Sequence, residues 1–339
     1  MSEKSIYSTG FEPDDTKIEA VRNALISWYE ENGRNLPWRR TRDPWRILVS
    51  EVMLQQIQVK RAIPFYEAFL KRFPTVGALA EAPLAEAIRV WGALGRYKRV
   101  VNLHRTARIL VEEFGGKIPS DPEVLVRLPG IGPYTAGAVA CFAFEENAAF
   151  LDTNVRRVLH RLFLGAEIPE PTAKEKQLQR LAEALVPCGQ GWEWGQSVVE
   201  FGALHCTARK PLCESCPVSD HCAAQPMIRG LLASLPRGEK ATYRYEGSNR
   251  YYRGRVLAAL REAPEEGVSL HELGGGLREG FDDRDLPWLR GIVESLEKDE
   301  LVKVSFAEQR SQVVAEERAA YGAERPEDPP YVSTHVSLP

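Results

Sequence analysis

The sequence predicts a mainly α protein that ends in a small α+β domain, and three observations carry that prediction. From residue 16 to about 225, apolar residues recur at helical spacing with no convincing alternating strand pattern. Residues 226–249 are enriched in Gly, Pro and Ser, which marks a linker. Beyond them, three helical stretches run into short extended pieces, the order of a winged-helix domain. The expected organisation is therefore a helical body over 16–225, a linker over 226–249 and a C-terminal domain over 250–339.

The body opens with a helix that Thr16 can cap, with Ile18, Val21, Leu25 and Trp28 on one face and Gly33 as its stop. Amphipathic stretches follow near 45–56, 60–72, 84–91, 97–114, 133–144, 153–164, 173–186 and 191–204. A short helix is expected near 122–127, before the string LPGIG. In the C-terminal region, helices are expected near 250–262, after Ser269 and from Asp285 to Lys298. Extended pieces follow at Leu301–Phe306 and Ser311–Val314, and the last 20 residues read as irregular apart from YVSTHVSLP, a candidate strand.

Composition narrows the function. A chain of 339 residues, 44% hydrophobic and 27% charged, can bury a core and is neither disordered nor fibrous. No apolar run approaches the roughly 20 residues that span a bilayer, and the N-terminus lacks a signal-peptide pattern, so a cytoplasmic protein without membrane contact is expected. The net charge of −3 hides an asymmetry. Residues 1–250 hold 33 Lys and Arg against 29 Asp and Glu, whereas residues 251–339 hold 11 against 18. A basic body can bind nucleic acid through a local patch. The acidic C-terminal region suggests instead a contact with a protein partner.

Four of the six cysteines, Cys206, Cys213, Cys216 and Cys222, fall within 17 residues. Four thiolates so close can surround one soft metal centre. A four-cysteine zinc site usually pairs two C-x2-C knuckles, and only one is present. Cys141, in the apolar run VACFAF, reads as core, and Cys188 has no evident role.

Gly130 and Gly132 in LPGIG permit a tight turn at positive φ, and Pro133 suits a first helical position. Such a turn aims backbone N–H groups at a helix start, where a phosphate can sit. Asp152 stands where a helix N-cap is expected. Glu51 lies in the otherwise apolar helix WRILVSEVMLQQ, and a shielded carboxyl there has its pKa raised toward the range of a general acid.

The string LPGIGPYTAGAV resembles the helix-hairpin-helix motif of DNA glycosylases, and the cysteine spacing resembles the 4Fe-4S loop of their endonuclease-III and MutY group. LPWR at 36–39 and SEVMLQQIQV at 50–59 closely resemble the MutY-type adenine DNA glycosylases, with the match running from about 18 to 225. This resemblance implies a six-helix module joined to an iron-sulfur module and one 4Fe-4S cluster. The implied partner is double-stranded DNA carrying mispaired or damaged bases, bound by a monomer. It implies Glu51 as the acid that protonates adenine and Asp152 as the carboxylate that stabilises the sugar. Tyr134 occupies the position of the Schiff-base lysine of bifunctional relatives, which implies a monofunctional enzyme. Trp38, Arg39, Tyr134 and Gln196 would line the adenine pocket, Asn154 would align water or Asp152, and Gln56 would fill the gap left by the flipped nucleotide. Arg209 and Lys210, between the first two cysteines, would meet phosphate.

The chain departs from the family twice. Ile57 follows the wedge glutamine where Thr is usual, and residues 226–339 do not read as the usual NUDIX-like domain. Both departures touch lesion recognition and leave the excision chemistry in place. The alternatives are a monofunctional enzyme for G:T mispairs or a modified base, and a non-catalytic DNA-binding iron-sulfur module. The pairing of Glu51 with Asp152 speaks against the second.

Overall fold

Apolar periodicity is realised as fifteen α-helices and three short strands among the described residues of the computed structural model, which are 14–168, 171, 173–235, 244–308 and 332–339. In chain order the helices are α1 Asp15–Asn32, α2 Pro44–Leu54, α3 Val59–Arg72, α4 Val76–Glu81, α5 Leu84–Trp91, α6 Lys98–Phe114, α7 Pro122–Leu125 and α8 Pro133–Phe144. There follow α9 Thr153–Phe163, α10 Glu175–Leu185, α11 Gly191–Leu204, α12 Gln225–Ser234, α13 Asn249–Glu262, α14 Leu270–Leu277 and α15 Leu286–Lys298. The strands are β1 Val268–Ser269, β2 Lys303–Glu308 and β3 Val332–Ser337. None of the described helices is long and apolar enough to cross a membrane.

Two compact units divide the chain, one from residues 1–58 and 112–240, the other from 59–111 and 241–339. The helical body expected over 16–225 is thus interrupted. Residues 59–111 group with the C-terminal region because backbone groups there are satisfied by it: Arg261 donates to the Gly92 carbonyl at 2.8 Å, and the Ala85 N–H to the Pro339 carbonyl at 3.1 Å.

In the first unit, α1 is capped by Asp14, which accepts from the Thr16 N–H at 3.0 Å, rather than by Thr16. The helix starts two residues earlier than Thr16 capping would need, so the aspartate side chain takes the orphan N–H. Ile18, Val21 and Leu25 are buried as the face predicted, and the Gly33 N–H closes the helix on the Tyr29 carbonyl. Asp43 caps α2, which is buried from Trp45 through Met53 apart from Arg46, as a helix apolar all round must be. It packs on α8, where every residue from Thr135 to Ala143 is buried, while α11 packs on α1, α8 and α9. Residue 226, where the linker was expected to begin, lies instead inside α12, whose Ile228 is buried with Ala166 and Ala224 in a small apolar cluster.

In the second unit, α13, α14 and α15 pack on one another around Val256, Leu257, Leu289 and Leu296. Their antiparallel sheet has the order β1-β3-β2, with Val336 opposite both Val268 and Val304. The winged-helix-like reading holds with one change. The piece expected at Ser311–Val314 lies outside the described residues, and the partner of β2 is β3, from a terminal stretch read mainly as irregular. Buried Val336 and Leu338 give β3 an apolar reason to dock.

Candidate active site

Three helix ends in the first unit converge their polar groups. Glu51, three residues before the end of α2, is 6% exposed, and the Tyr134 hydroxyl donates to its Oε2 at 3.0 Å. Burial pushes the Glu51 carboxyl up to about 7, aided by the charge of Asp152, while the Tyr134 hydrogen bond and Arg39 pull the other way. Tyr134 sits in the first turn of α8, its ring edge-on to Phe150 at 5.6 Å. Burial and the two nearby carboxylates raise its phenol well above the ordinary value.

The turn before Tyr134 is built as LPGIG requires, with one correction. Gly130 has φ 76°, whereas Gly132 is extended at φ −91° and serves as the N-cap of α8. Proline at 133 pushes the preceding residue out of helical space, so only one of the two glycines needs the left-handed region. The first N–H groups of α8 lie at this turn, packed beside α7.

Asp152 is both the N-cap of α9 and the second carboxylate of the site. It accepts from the Asn154 N–H at 2.8 Å, the Val155 N–H at 2.6 Å and the Asn154 side-chain amide at 3.0 Å. Burial raises its pKa, and these three hydrogen bonds oppose that rise. Asn154 is itself held, since Arg157 donates to its Oδ1 at 2.9 Å and to the Gly202 carbonyl at 2.6 Å. A Cβ at 202 would stand 2.8 Å from the Asn154 Cβ, so glycine is what lets α11 approach α9 here.

Beside Glu51 lies a buried charged cluster. Arg39 donates to Gln196 Oε1 at 2.7 Å, to the Arg34 carbonyl at 3.0 Å and to Glu200 Oε2 at 2.9 Å. Arg34 holds the same carboxylate through two side-chain bonds at 2.7 Å each and its own N–H at 2.9 Å. Burial alone would raise the Glu200 carboxyl, but the bonds from Arg34 and Arg39 outweigh it and hold the group at about 2. Trp38 and Gln196 are buried alongside. The sequence reading found Arg39 and Gln196 and missed Arg34 and Glu200. Glu200 carries the same signal as Glu51, a lone acid within an apolar helical run, SVVEFGAL.

Gln56 is exposed just past α2 and has φ 57°, a left-handed conformation uncommon outside glycine. Neighbouring Gln55 is tied to the Thr135 hydroxyl at 3.2 Å, and Ile57 is partly buried, its N–H bonded to the Leu54 carbonyl at 3.2 Å.

Cys206, Cys213, Cys216 and Cys222 line one small hollow together with Leu162, Phe201 and Ile228. Arg161, 2% exposed, approaches Cys206 Sγ at 3.7 Å, and Lys17 lies near Cys222. Four thiolates around an apolar hollow with cations behind them fit a 4Fe-4S cluster, which these cysteines would hold. Arg209 and Lys210 project into solvent from the same loop. The Arg157 Nε also donates to the Cys206 carbonyl at 2.8 Å, so one guanidinium braces both the loop and Asn154.

This fold and site define the class of helix-hairpin-helix base-excision proteins with an iron-sulfur loop. Residues 49–184 match the HhH-GPD superfamily of base excision DNA repair proteins, and residues 206–222 match the iron-sulfur binding domain of endonuclease III. The adenine DNA glycosylase of Mycolicibacterium smegmatis is 42% identical over 242 residues, covering 70% of this chain and 80% of that protein. The solved structure of a thermostable thymine-DNA glycosylase superposes with a TM-score of 0.59 at 30% identity, over 62% of this chain and 98% of that one. Endonuclease III, trapped covalently on DNA, shares the fold with a TM-score of 0.56 at 22% identity, over 64% and 100%. The chain belongs to the adenine DNA glycosylase family, and its cofactor is one 4Fe-4S cluster.

Proposed function

We propose that this chain removes adenine from mispairs in duplex DNA, opposite 8-oxoguanine or guanine, by hydrolysing the N-glycosidic bond without cutting the strand. The observation that carries the reading is the pair of carboxyls in unlike surroundings. Glu51 is buried and holds a proton near neutral pH, whereas Asp152 is furnished with three donors that favour its anion.

Adenine is a poor leaving group as an anion. Glu51 delivers its proton to the flipped base, with N7 as the acceptor, while the bond from N9 to the sugar breaks. Asp152 stands as the anion that stabilises the oxocarbenium-like sugar, and water then adds, releasing free adenine and an abasic site. Tyr134 keeps the Glu51 carboxyl oriented and has no amine with which to form a Schiff base. Asn154 fixes the Asp152 oxygens. Trp38, Arg39 and Gln196 form the base pocket, and the Glu200 anion neutralises and orients Arg39. Gln56 enters the stack, the α8 turn and the Arg209 and Lys210 loop hold the backbone, and Ile57 takes the place beside the opposing base where relatives carry Thr. The cluster, when bound, supplies a rigid framework for that loop.

A glycosylase assay on duplexes holding A opposite 8-oxoguanine, G and C, with T opposite G alongside, tests this. Release of adenine from the first two is expected. Release of thymine alone would replace this reading with the G:T one.

A further inference from the structure

We propose that His205 tunes the iron-sulfur cluster: its Nε2–H donates a hydrogen bond to a cluster sulfur and raises the potential at which the cluster accepts an electron. This inference rests on the 4Fe-4S assignment and not on the adenine reading.

An unmatched nitrogen is the first support. His205 directly precedes Cys206, is 7% exposed, and its ring lines the same hollow as the four cysteines. Among the described residues, its buried Nε2 has no hydrogen-bond partner. Leaving a buried polar atom unpaired is costly, so such an atom in a folded protein calls for a reason. The other buried cation of the hollow, Arg161, is already committed. Beyond its approach to Cys206 Sγ, it donates to Glu167 Oε2 at 2.8 Å and to the Thr207 and Ala208 carbonyls at 2.8 and 3.1 Å. His205 is therefore the donor held in reserve.

A fixed ring is the second support. The imidazole lies nearly flat on Phe201, with centroids 4.8 Å apart and planes 14° apart, and edge-on to Trp28 at 5.8 Å. The backbone N–H groups of His205 and Cys206 both reach the Phe201 carbonyl at 2.8 Å, and the His205 carbonyl accepts from the Leu212 N–H at 3.1 Å. The ring cannot swing away from the cysteine loop without giving up its stacking.

A neutral imidazole carries one N–H, and its surroundings select the nitrogen. Thiolates and sulfides repel a bare lone pair and attract an N–H, which favours the hydrogen on Nε2. The Leu212 backbone is the competing partner beside the ring. A hydrogen bond to sulfur stabilises the more reduced, more negative state of a cluster over the oxidised one, which gives the sign of the shift.

The test uses the full, cluster-loaded chain. His205→Phe keeps the stacking and loses both nitrogens, whereas His205→Gln keeps a side-chain N–H. Voltammetry of the immobilised protein should show a lower potential for the Phe variant and recovery toward the wild type for the Gln variant. Iron content and melting temperature check that each variant is loaded and folded. Pulsed EPR on ferricyanide-oxidised wild-type chain labelled with ¹⁵N-histidine needs no variant. It should show a ¹⁵N coupling and an exchangeable proton beside the cluster. Both signals should survive in the exposed His221→Gln and vanish in His205→Phe. An unchanged potential in loaded His205→Phe would overturn the proposal, as would a wild-type spectrum without the ¹⁵N coupling. A nitrogen coupling without the exchangeable proton would place the hydrogen toward Leu212 and overturn it equally. Stoichiometric zinc with no EPR signal after oxidation would instead bring down the cluster assignment beneath it.

Discussion

Replacing Glu51 by Gln should damage catalysis and strengthen the fold, and the two effects separate by pH. The Glu51 carboxyl is held at about 7 against an ordinary 4.5, so the folded state prefers its protonated form by roughly 2.5 units. At about 1.4 kcal/mol per unit, the fold carries up to about 3 kcal/mol of strain once the carboxyl ionises. A group raised on folding contributes stability below its unfolded pKa and loses that contribution as pH climbs through its folded value. The wild-type chain is therefore favoured below about 4.5 and penalised above about 7. Glutamine keeps the acceptor for the Tyr134 hydroxyl and never ionises. At pH 8, Glu51→Gln should melt several degrees above the wild type, and the gain should be nearly gone at pH 5. In single-turnover assays the same variant should release adenine some 10² to 10⁴ times more slowly while still binding duplex, since a general acid acts only in the transition state. Thermal scans of cluster-loaded protein at the two pH values decide the matter. An equal gain at both, or none at pH 8, would refute the reasoning from burial.

Tyr134→Phe removes a hydrogen bond that favours the Glu51 anion, so the alkaline limb of the single-turnover pH profile should move upward by about one unit or more; a downward shift would contradict the observed geometry. Asp152→Asn should lower turnover by orders of magnitude with duplex affinity retained, checked by rapid quench beside an anisotropy titration. Glu200→Gln leaves Arg34 and Arg39 without their anion and should cost about 3–5 kcal/mol in stability, read by denaturant melts. Because the Glu200 carboxyl is lowered to about 2, its contribution is present above its ordinary 4.5 and should fade as pH falls through that window. Cys216→Ser should yield protein depleted in iron and acid-labile sulfide, measured by elemental analysis.

Those features of the site that live in short strings were legible in the sequence. Glu51, Tyr134, Asp152 and the four cysteines each announce themselves by near neighbours, and the helix ends around them follow from Asp43, Pro44 and Pro133. What escaped is made by chain segments far apart. The bond from the Arg34 N–H to Glu200 spans 166 residues, and no local pattern around a solvent-plausible arginine reports it. The grouping of 59–111 with the C-terminal region likewise depends on carbonyls satisfied across more than 160 residues, as between Arg261 and Gly92. β3 was only a candidate from its own residues, because strand pairing is decided by the partner. Gly132 shows the opposite case, a local rule applied without the proline that follows it.

The left-handed Gln56 lies two residues beyond the last turn of α2, and Glu51 lies three residues before that end. In the proposed mechanism, one short stretch of backbone would therefore set how far Gln56 in the duplex stands from the proton donor, like a gauge block between two jaws. Substitutions between them can be absorbed side chain by side chain. Inserting or deleting one residue there would swing the acid through roughly 100° about the helix axis and break the gauge. The residues between 51 and 56 should thus tolerate changes of letter better than any change of length, a constraint on any variant of this chain however its surface is rebuilt.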